Sequence, residues 1–279
     1  MSDKKKTFPA RVHILIASKS KKAIVIRRGP SNHVCILGWD RSKDTFSVSQ
    51  WLKGTLYERR SDISADGKYW IYFAGTHRYK SETKGTWTAI AKVPWLKAIT
   101  LYGKGDSWYG GGLMGESSKY WLNDHECSGH FLMHESKEVF RMKDYPLYDT
   151  YGGECLNIYY NRLQRDGWSY FKYDEDKSVT IFEKKLCKNW VLKKYAYHGG
   201  QKKEGQGVYW DTHELQDVNG KIYLFEDWEW AEYLDDKYVF YIKKGCLYKL
   251  EVCNSPLIEE AELVHNFNDY KFEALKAPY

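Results

Sequence analysis

The residues best equipped for chemistry stand in the run Asp124–Glu135 (DHECSGHFLMHE), which carries three histidines, one cysteine and three carboxylates within twelve positions. Imidazole, thiolate and carboxylate groups ligate zinc and related ions. Extended backbone would put His130 and His134 on one face, where two imidazoles could converge, with His125 close by in the chain. The spacing matches no established zinc pattern, however, and polar residues at a hairpin explain the run as well. His125, His130 and His134 are therefore metal candidates only, and neither a metal nor a cofactor is expected.

A second feature is the glycine-rich segment Gly103–Gly112 (GKGDSWYGGG), with Trp108 and Tyr109 embedded in it. It lacks both a Walker pattern and GxGxxG, and no strand–loop–helix context surrounds it, so a wide loop between strands accounts for it better than a phosphate cradle. Aromatic side chains on such a loop are most simply explained by contact with a ligand or partner. Two arginine pairs, Arg27-Arg28 and Arg59-Arg60, end the predicted strands Ala23–Arg28 and Leu52–Arg60. Their guanidinium forks suit carboxylate or phosphate, although Asp40, Asp44, Glu58 and Asp62 are available as local partners. The candidate binding residues are thus Arg27, Arg28, Arg59, Arg60, Trp108 and Tyr109.

Catalytic sets are not found. There is no GxSxG elbow, and no histidine lies in a recognisable nucleophile motif. Phe225–Trp230 (FEDWEW) mixes acids with indoles, as a sugar site would. Alternation in a strand instead places Trp228 and Trp230 on one face and Asp227 and Glu229 on the other, and this second reading is preferred. The expectation is a non-enzymatic interaction or ligand-binding module. The competing reading is a carbohydrate-active enzyme or lectin-like protein with acids and indoles at a channel mouth.

The elements that must position these residues are short strands. RVHILIA (residues 11–17), AIVIRR (23–28) and HVCILGW (33–39) alternate with polar turns in a meander, and the pattern continues with breaks at Thr76–Lys84, Gly103–Gly112, Asp144–Gly153 and His198–Gly207. Leu156–Tyr160 reads as a strand, Pro256–Glu262 as one helical turn, and no long amphipathic helix is expected. A phrase recurs: Asp66-Gly67-Lys68-Tyr69-Trp70-Ile71-Tyr72 is answered at Asp166–Phe171 and Asp235–Tyr241, with fainter copies at Lys22, Lys119 and Lys221. Taken at Lys22, Lys68, Lys119, Trp168 and Lys221, the period is roughly 40–50 residues, which is the signature of a β-propeller.

Ile63–Gly75 (ISADGKYWIYFAG), Leu234–Val252 (LDDKYVFYIKKGCLYKLEV) and the strand-ending Trp39-Asp40 resemble TolB-like and WD-repeat propellers. The resemblance implies a single all-β propeller of five blades, or six, whose rims bind partners. It implies no functional residue, since only one WD dipeptide stands at a strand end and no Gly-His accompanies it. On this reading residues 1–10 form a loose tail and residues 11–279 the propeller.

Composition narrows the partner. Aromatic residues make up 17% of the 279, including 24 Tyr and 12 Trp, which fits strands and flat binding faces. The net charge of +6 is too small to argue for nucleic acid. It is uneven, with 14 Lys/Arg against 4 Asp/Glu in residues 1–60, so an unidentified protein or a small polar or anionic ligand is the expected partner. The six cysteines are scattered without CxxC pairs, and no apolar run is long enough for a signal-peptide core or a membrane span. A reduced, cytoplasmic protein away from membranes is the default expectation.

Overall fold

The computed structural model describes residues 8–29, 32–116, 118–124, 129–199, 207–252 and 260–279. Strands dominate these residues and gather into five sheets, so the chain is all-β. The first sheet takes β1 (Arg11–Ile16), β2 (Lys22–Arg28), β3 (His33–Asp40) and β4 (Thr45–Lys53) in chain order. The second is built from β5 (Thr55–Leu56), β6 (Asp62–Ile63), β7 (Tyr69–Gly75), β8 (Thr86–Lys92) and β9 (Ala98–Gly103). β10 (Gly112–Met114) and β11 (Lys119–Leu122) begin a third sheet. β12 (Phe131–His134) returns to pair with β9, and β13 (Phe140–Met142) completes the third sheet parallel to β11. After a helix, α1 (Glu154–Arg165), a five-stranded sheet runs through β14 (Ser169–Asp174), β15 (Val179–Lys185), β16 (Val191–His198), β17 (Tyr209–Gln216) and β18 (Ile222–Phe225). The last sheet holds β19 (Trp228–Leu234), β20 (Tyr238–Lys243), β21 (Cys246–Glu251) and β22 (Glu262–Asn266).

The repeated phrase has a structural meaning, but its phase differs from the sequence expectation. Lys22, Lys68, Lys119 and Lys237 introduce β2, β7, β11 and β20. In the five-stranded sheet, the corresponding second strand is β15, introduced by Asp176-Lys177-Ser178. The copies proposed at Trp168 and Lys221 instead precede the two edge strands, β14 and β18. Measured from lysine to lysine, the spacings are 46, 51, 58 and 60 residues.

Helix α1 corrects the strand expected at Leu156–Tyr160. Cys155 and all of Ile158–Leu163 are buried, and within this set Cys155, Ile158, Tyr159, Arg162 and Leu163 repeat at the three-and-four spacing of a helix. The β-branched and aromatic run Ile158-Tyr159-Tyr160 imitates a strand locally. The predicted strand Leu52–Arg60 is also broken up. β4 ends at Lys53, β5 holds two residues, and Glu58–Arg60 forms a 3-10 turn. The turn expected at Pro256–Glu262 lies largely outside the described residues. Among the described cysteines, Cys35, Cys155 and Cys246 are free, whereas Cys187 is disulfide-bonded, contrary to the fully reduced set expected. No helix of the described residues is long and apolar enough to cross a membrane.

The chain divides into two compact units, Met1–His13 with Gly167–Tyr270, and Ile14–Asp166 with Lys271–Tyr279. In the second, β7 sends Trp70 and Tyr72 into one buried cluster with Ile24, Ile36 and Ala89, and sends Ile71 into another with Ile90, Tyr102 and Leu122. A strand buried on both faces reads as an unbroken apolar run, which is why YWIYFAG shows no polar alternation.

The first unit carries a polar network in its core. Lys194 and His213, opposite each other on β16 and β17, are both 1% exposed. The Lys194 ammonium donates to His213 Nε2 at 2.9 Å and stands 3.8 Å from Asp211. It also lies over the Trp168 ring at 4.8 Å. His213 Nδ1 donates to the Trp228 carbonyl at 2.8 Å, so its tautomer is set by partners that can only accept or only donate. These bonds tie β17 to β19, where Trp228 and Trp230 are buried as the alternation predicted.

Candidate functional site

The glycine-rich loop is the predicted site that the structure assembles most completely. It leaves β9 at Gly103, enters β10 at Gly112, and lies over the 3-10 turn Glu58–Arg60. Arg60 is 5% exposed and acts as the loop's internal anchor. Its Nη1 donates to the Ser107 carbonyl at 2.6 Å and the Tyr109 carbonyl at 2.5 Å. Its Nε donates to Cys155 Sγ at 3.0 Å, and its Nη2 stands 3.6 Å from Glu154. The guanidinium also lies over Tyr57 and Phe73. A buried arginine satisfied by carbonyls, a carboxylate and ring faces is a structural clamp.

Further bonds hold the loop from its flanks. Thr86 Oγ1 donates to the Asp106 carbonyl at 2.6 Å and accepts from Gly105 N at 3.0 Å. Lys104, whose side chain is fully buried, pairs with Asp106 at 3.1 Å. Gly110 N donates to the Asn123 carbonyl and Gly111 N to Thr88 Oγ1, at 3.0 and 2.9 Å. Behind Thr88 stands His130, with Nε2 3.3 Å from the hydroxyl and Nδ1 3.0 Å from Asp124. Burial holds the His130 imidazole below its ordinary pKa although Asp124 pulls the other way.

On this rigid base Trp108 is 69% exposed and Tyr109 36%. Tyr109 adopts φ +55°, a left-handed conformation that costs a bulky residue energy and that surrounding bonds must enforce. Gly111 is required for a different reason. Its φ is +73°, and a Cβ there would sit 1.9 Å from the Arg60 carbonyl oxygen. Gly111→Ala is therefore expected to cost about 2 kcal/mol or more and to free the loop from Arg60. Hydrogen exchange at Gly110–Gly112 would report this; protection equal to the parent's would contradict it.

The neighbouring loop between β7 and β8 supplies charge. It touches the glycine-rich loop through Lys104 N, which donates to the Thr83 carbonyl at 3.3 Å. Arg78, Tyr79, Lys80, Glu82 and Lys84 on it are exposed, three cations against one carboxylate, and Lys84 lies over Phe131 at 4.9 Å. The surface therefore joins an exposed indole and phenol to several cations.

The other predicted residues are used differently. Arg59 is buried against the Tyr159 ring of α1 at 4.5 Å, and Arg28 pairs with Glu58 at 2.6 Å. Arg27 is 2% exposed, donates to the Gly29 carbonyl and lies near the Trp51 ring. The structure brings Arg60, Trp108 and Tyr109 together and leaves Arg27 apart. Helix α1 completes the base. Asp62, fully buried on β6, accepts from Arg165 Nη1 at 2.5 Å and Nη2 at 2.9 Å, from Met114 N at 2.7 Å and from Ile63 N at 2.9 Å. Arg162 donates to the Ser61 carbonyl. Composition gave no sign that these charged residues would be interior.

The histidine cluster does not converge as expected. A register shift between Leu132 and His134 leaves His134 exposed while the His130 side chain points inward, 1% exposed; His125 lies outside the described residues. Among the described residues, no group of His, Cys, Asp or Glu is placed to hold a metal ion. No protein-family model matches the chain, and a search of curated proteins finds no match.

Proposed function

We propose that this chain is a non-enzymatic binding module, a five-bladed β-propeller whose glycine-rich loop presents Trp108 and Tyr109 to an acidic partner. The propeller reading is supported by five sheets, each with one strand (β2, β7, β11, β15 and β20) introduced by a lysine-bearing turn. The binding reading rests on one observation above all, a solvent-exposed indole held on a loop whose backbone is immobilised from below. Presenting a large apolar ring forfeits its burial energy, and a rigid mount removes the ordering cost on binding. Arg78, Lys80 and Lys84 beside it set the preferred sign of the partner's charge.

An array carrying sulfated and sialylated glycans beside Asp/Glu-rich peptides tests the reading. The full chain is expected to retain acidic members, with affinity lowered about 30-fold by Trp108→Ala, the scale of a binding hot spot. Arg78→Glu with Lys80→Glu should weaken binding further at low salt than at high salt. Retention of no acidic probe, or equal binding by the Trp108 variant, would overturn the proposal.

A further inference from the structure

The five-stranded sheet of the first unit ends in two unlike edges. β14 is bulged between Tyr170 and Lys172, a common way of making an edge unfit for pairing. β18 runs straight beside β17, with Leu215 opposite Tyr223 and no shift of register. Among the described residues no strand pairs with its outer side. From Ile222 to Phe225 it holds neither a proline nor a charge.

The turn before β18 fixes which of its backbone groups face outward. Asp217 N donates to the Lys221 carbonyl at 3.0 Å, and the Asp217 carboxylate accepts from Asn219 N and Lys221 N at 2.8 Å each. Residues 217 and 221 are thus a bonded pair, and alternation makes 215 with 223 and 213 with 225 the next ones. The N–H and C=O groups of Ile222 and Leu224 point the other way, toward the open edge. Their side chains share one face of the sheet and are 51% and 69% exposed. Across β17 they stand opposite Gln216 and Glu214, polar neighbours that leave this apolar surface uncovered.

We infer that β18 pairs antiparallel with β18 of a second copy of this chain, about a two-fold axis through Tyr223. Such an axis stands normal to the sheet and keeps every side chain on its own face. Ile222 then meets the partner's Leu224 on both sides of the axis, each pair exchanging two N–H···O bonds. Lys221 lies opposite the partner's Phe225 and beside the partner's Glu226, so no like charges are opposed. Sliding by one pair would set Leu224 against the partner's Gly220, or Ile222 against the partner's Glu226. This register alone matches apolar with apolar. A contact only four residues long is small for a specific interface, so association is expected at about 50 µM. The edge belongs to the first unit and the Trp108 loop to the second, so the two readings are tested apart.

Sedimentation equilibrium of the full chain between about 1 and about 200 µM should show the weight-average mass rising toward that of a dimer. Leu224→Lys should weaken association about 20-fold, since both copies lose an apolar contact. Leu263→Lys, at a site 54% exposed on β22, should leave it unchanged. Oxidative cross-linking tests the axis, because a non-bonded antiparallel pair brings Cβ atoms within disulfide reach. Tyr223→Cys should link two chains well above the parent's background, whereas Lys221→Cys should not. If Tyr223→Cys does not fold, a mixture of Ile222→Cys and Leu224→Cys takes its place and should link where neither does alone. A chain that stays monomeric throughout, a dimer that does not distinguish Leu224→Lys from Leu263→Lys, or linkage in Lys221→Cys equal to that in Tyr223→Cys would each overturn the assignment.

Discussion

Asp62→Ala lowers the stability of the second unit by about 3–5 kcal/mol, the cost of removing one partner from a buried ion pair. The carboxylate accepts from both Arg165 nitrogens and from two backbone N–H groups, Ile63 and Met114, which belong to different sheets. Its removal leaves both amides unmet and Arg165 held by Asp166, 2.9 Å from its Nε, and by the Met114 carbonyl. A second substitution, Arg165→Met, should return part of the loss, because burying neither charge is cheaper than burying one. Urea unfolding followed by tryptophan fluorescence measures each variant. A loss for Asp62→Ala below about 1 kcal/mol, or a double variant no better than the single, would show that the pair does not hold α1 in place.

Acid should unfold the first unit earlier than its carboxylates alone would dictate. Burial and the adjacent Lys194 cation hold His213 well below the ordinary imidazole value of 6.5, so the folded protein keeps it neutral. In the unfolded chain the same imidazole takes up a proton as the pH drops through 6.5. The depressed group thus contributes its full stability above that pH and loses it progressively as pH falls toward the folded-state value, by about 1.4 kcal/mol per unit. His265, in the same unit, is depressed in the same direction and adds to the slope, while His130 does so for the second unit. In the second unit Asp40, Asp66 and Glu138, held below their ordinary carboxylate values, surrender their share only at lower pH. Melting temperatures between pH 7.5 and pH 5 should therefore fall steeply in the parent and less steeply in His213→Gln, whatever that variant loses at neutral pH. Parallel slopes would assign the acid sensitivity elsewhere.

The strands were legible because their signal is local: β-branched and aromatic runs between turn residues give β2, β7, β16 and β20 without knowledge of their neighbours. The repeat was legible as well, but its phase was not. Asp166-Gly167-Trp168 copies the phrase in letters, yet it leads into an edge strand, while Asp176-Lys177-Ser178, which introduces β15, lacks the aromatic that makes the copies at Lys68, Lys119 and Lys237 conspicuous. Helix α1 escaped because two adjacent tyrosines and an isoleucine outweigh a three-and-four spacing over only twelve residues. The arginines show a deeper limit. Charge in a sequence implies solvent, and nothing in Glu58-Arg59-Arg60 announces that tyrosine faces and loop carbonyls will replace water around the guanidinium groups. Trp108 was legible as a candidate because glycines flank it.

The tail Lys271–Tyr279 carries a practical consequence for anyone handling this protein. Three of its residues are fastened to the second unit, Phe272 by a ring edge on Trp51, Leu275 by a carbonyl to Gln50 and Tyr279 by a phenol to Lys97. Removing residues 272–279 would strip all three fastenings together. Preparations nicked within this segment should therefore be told apart by mass spectrometry before their stabilities are compared.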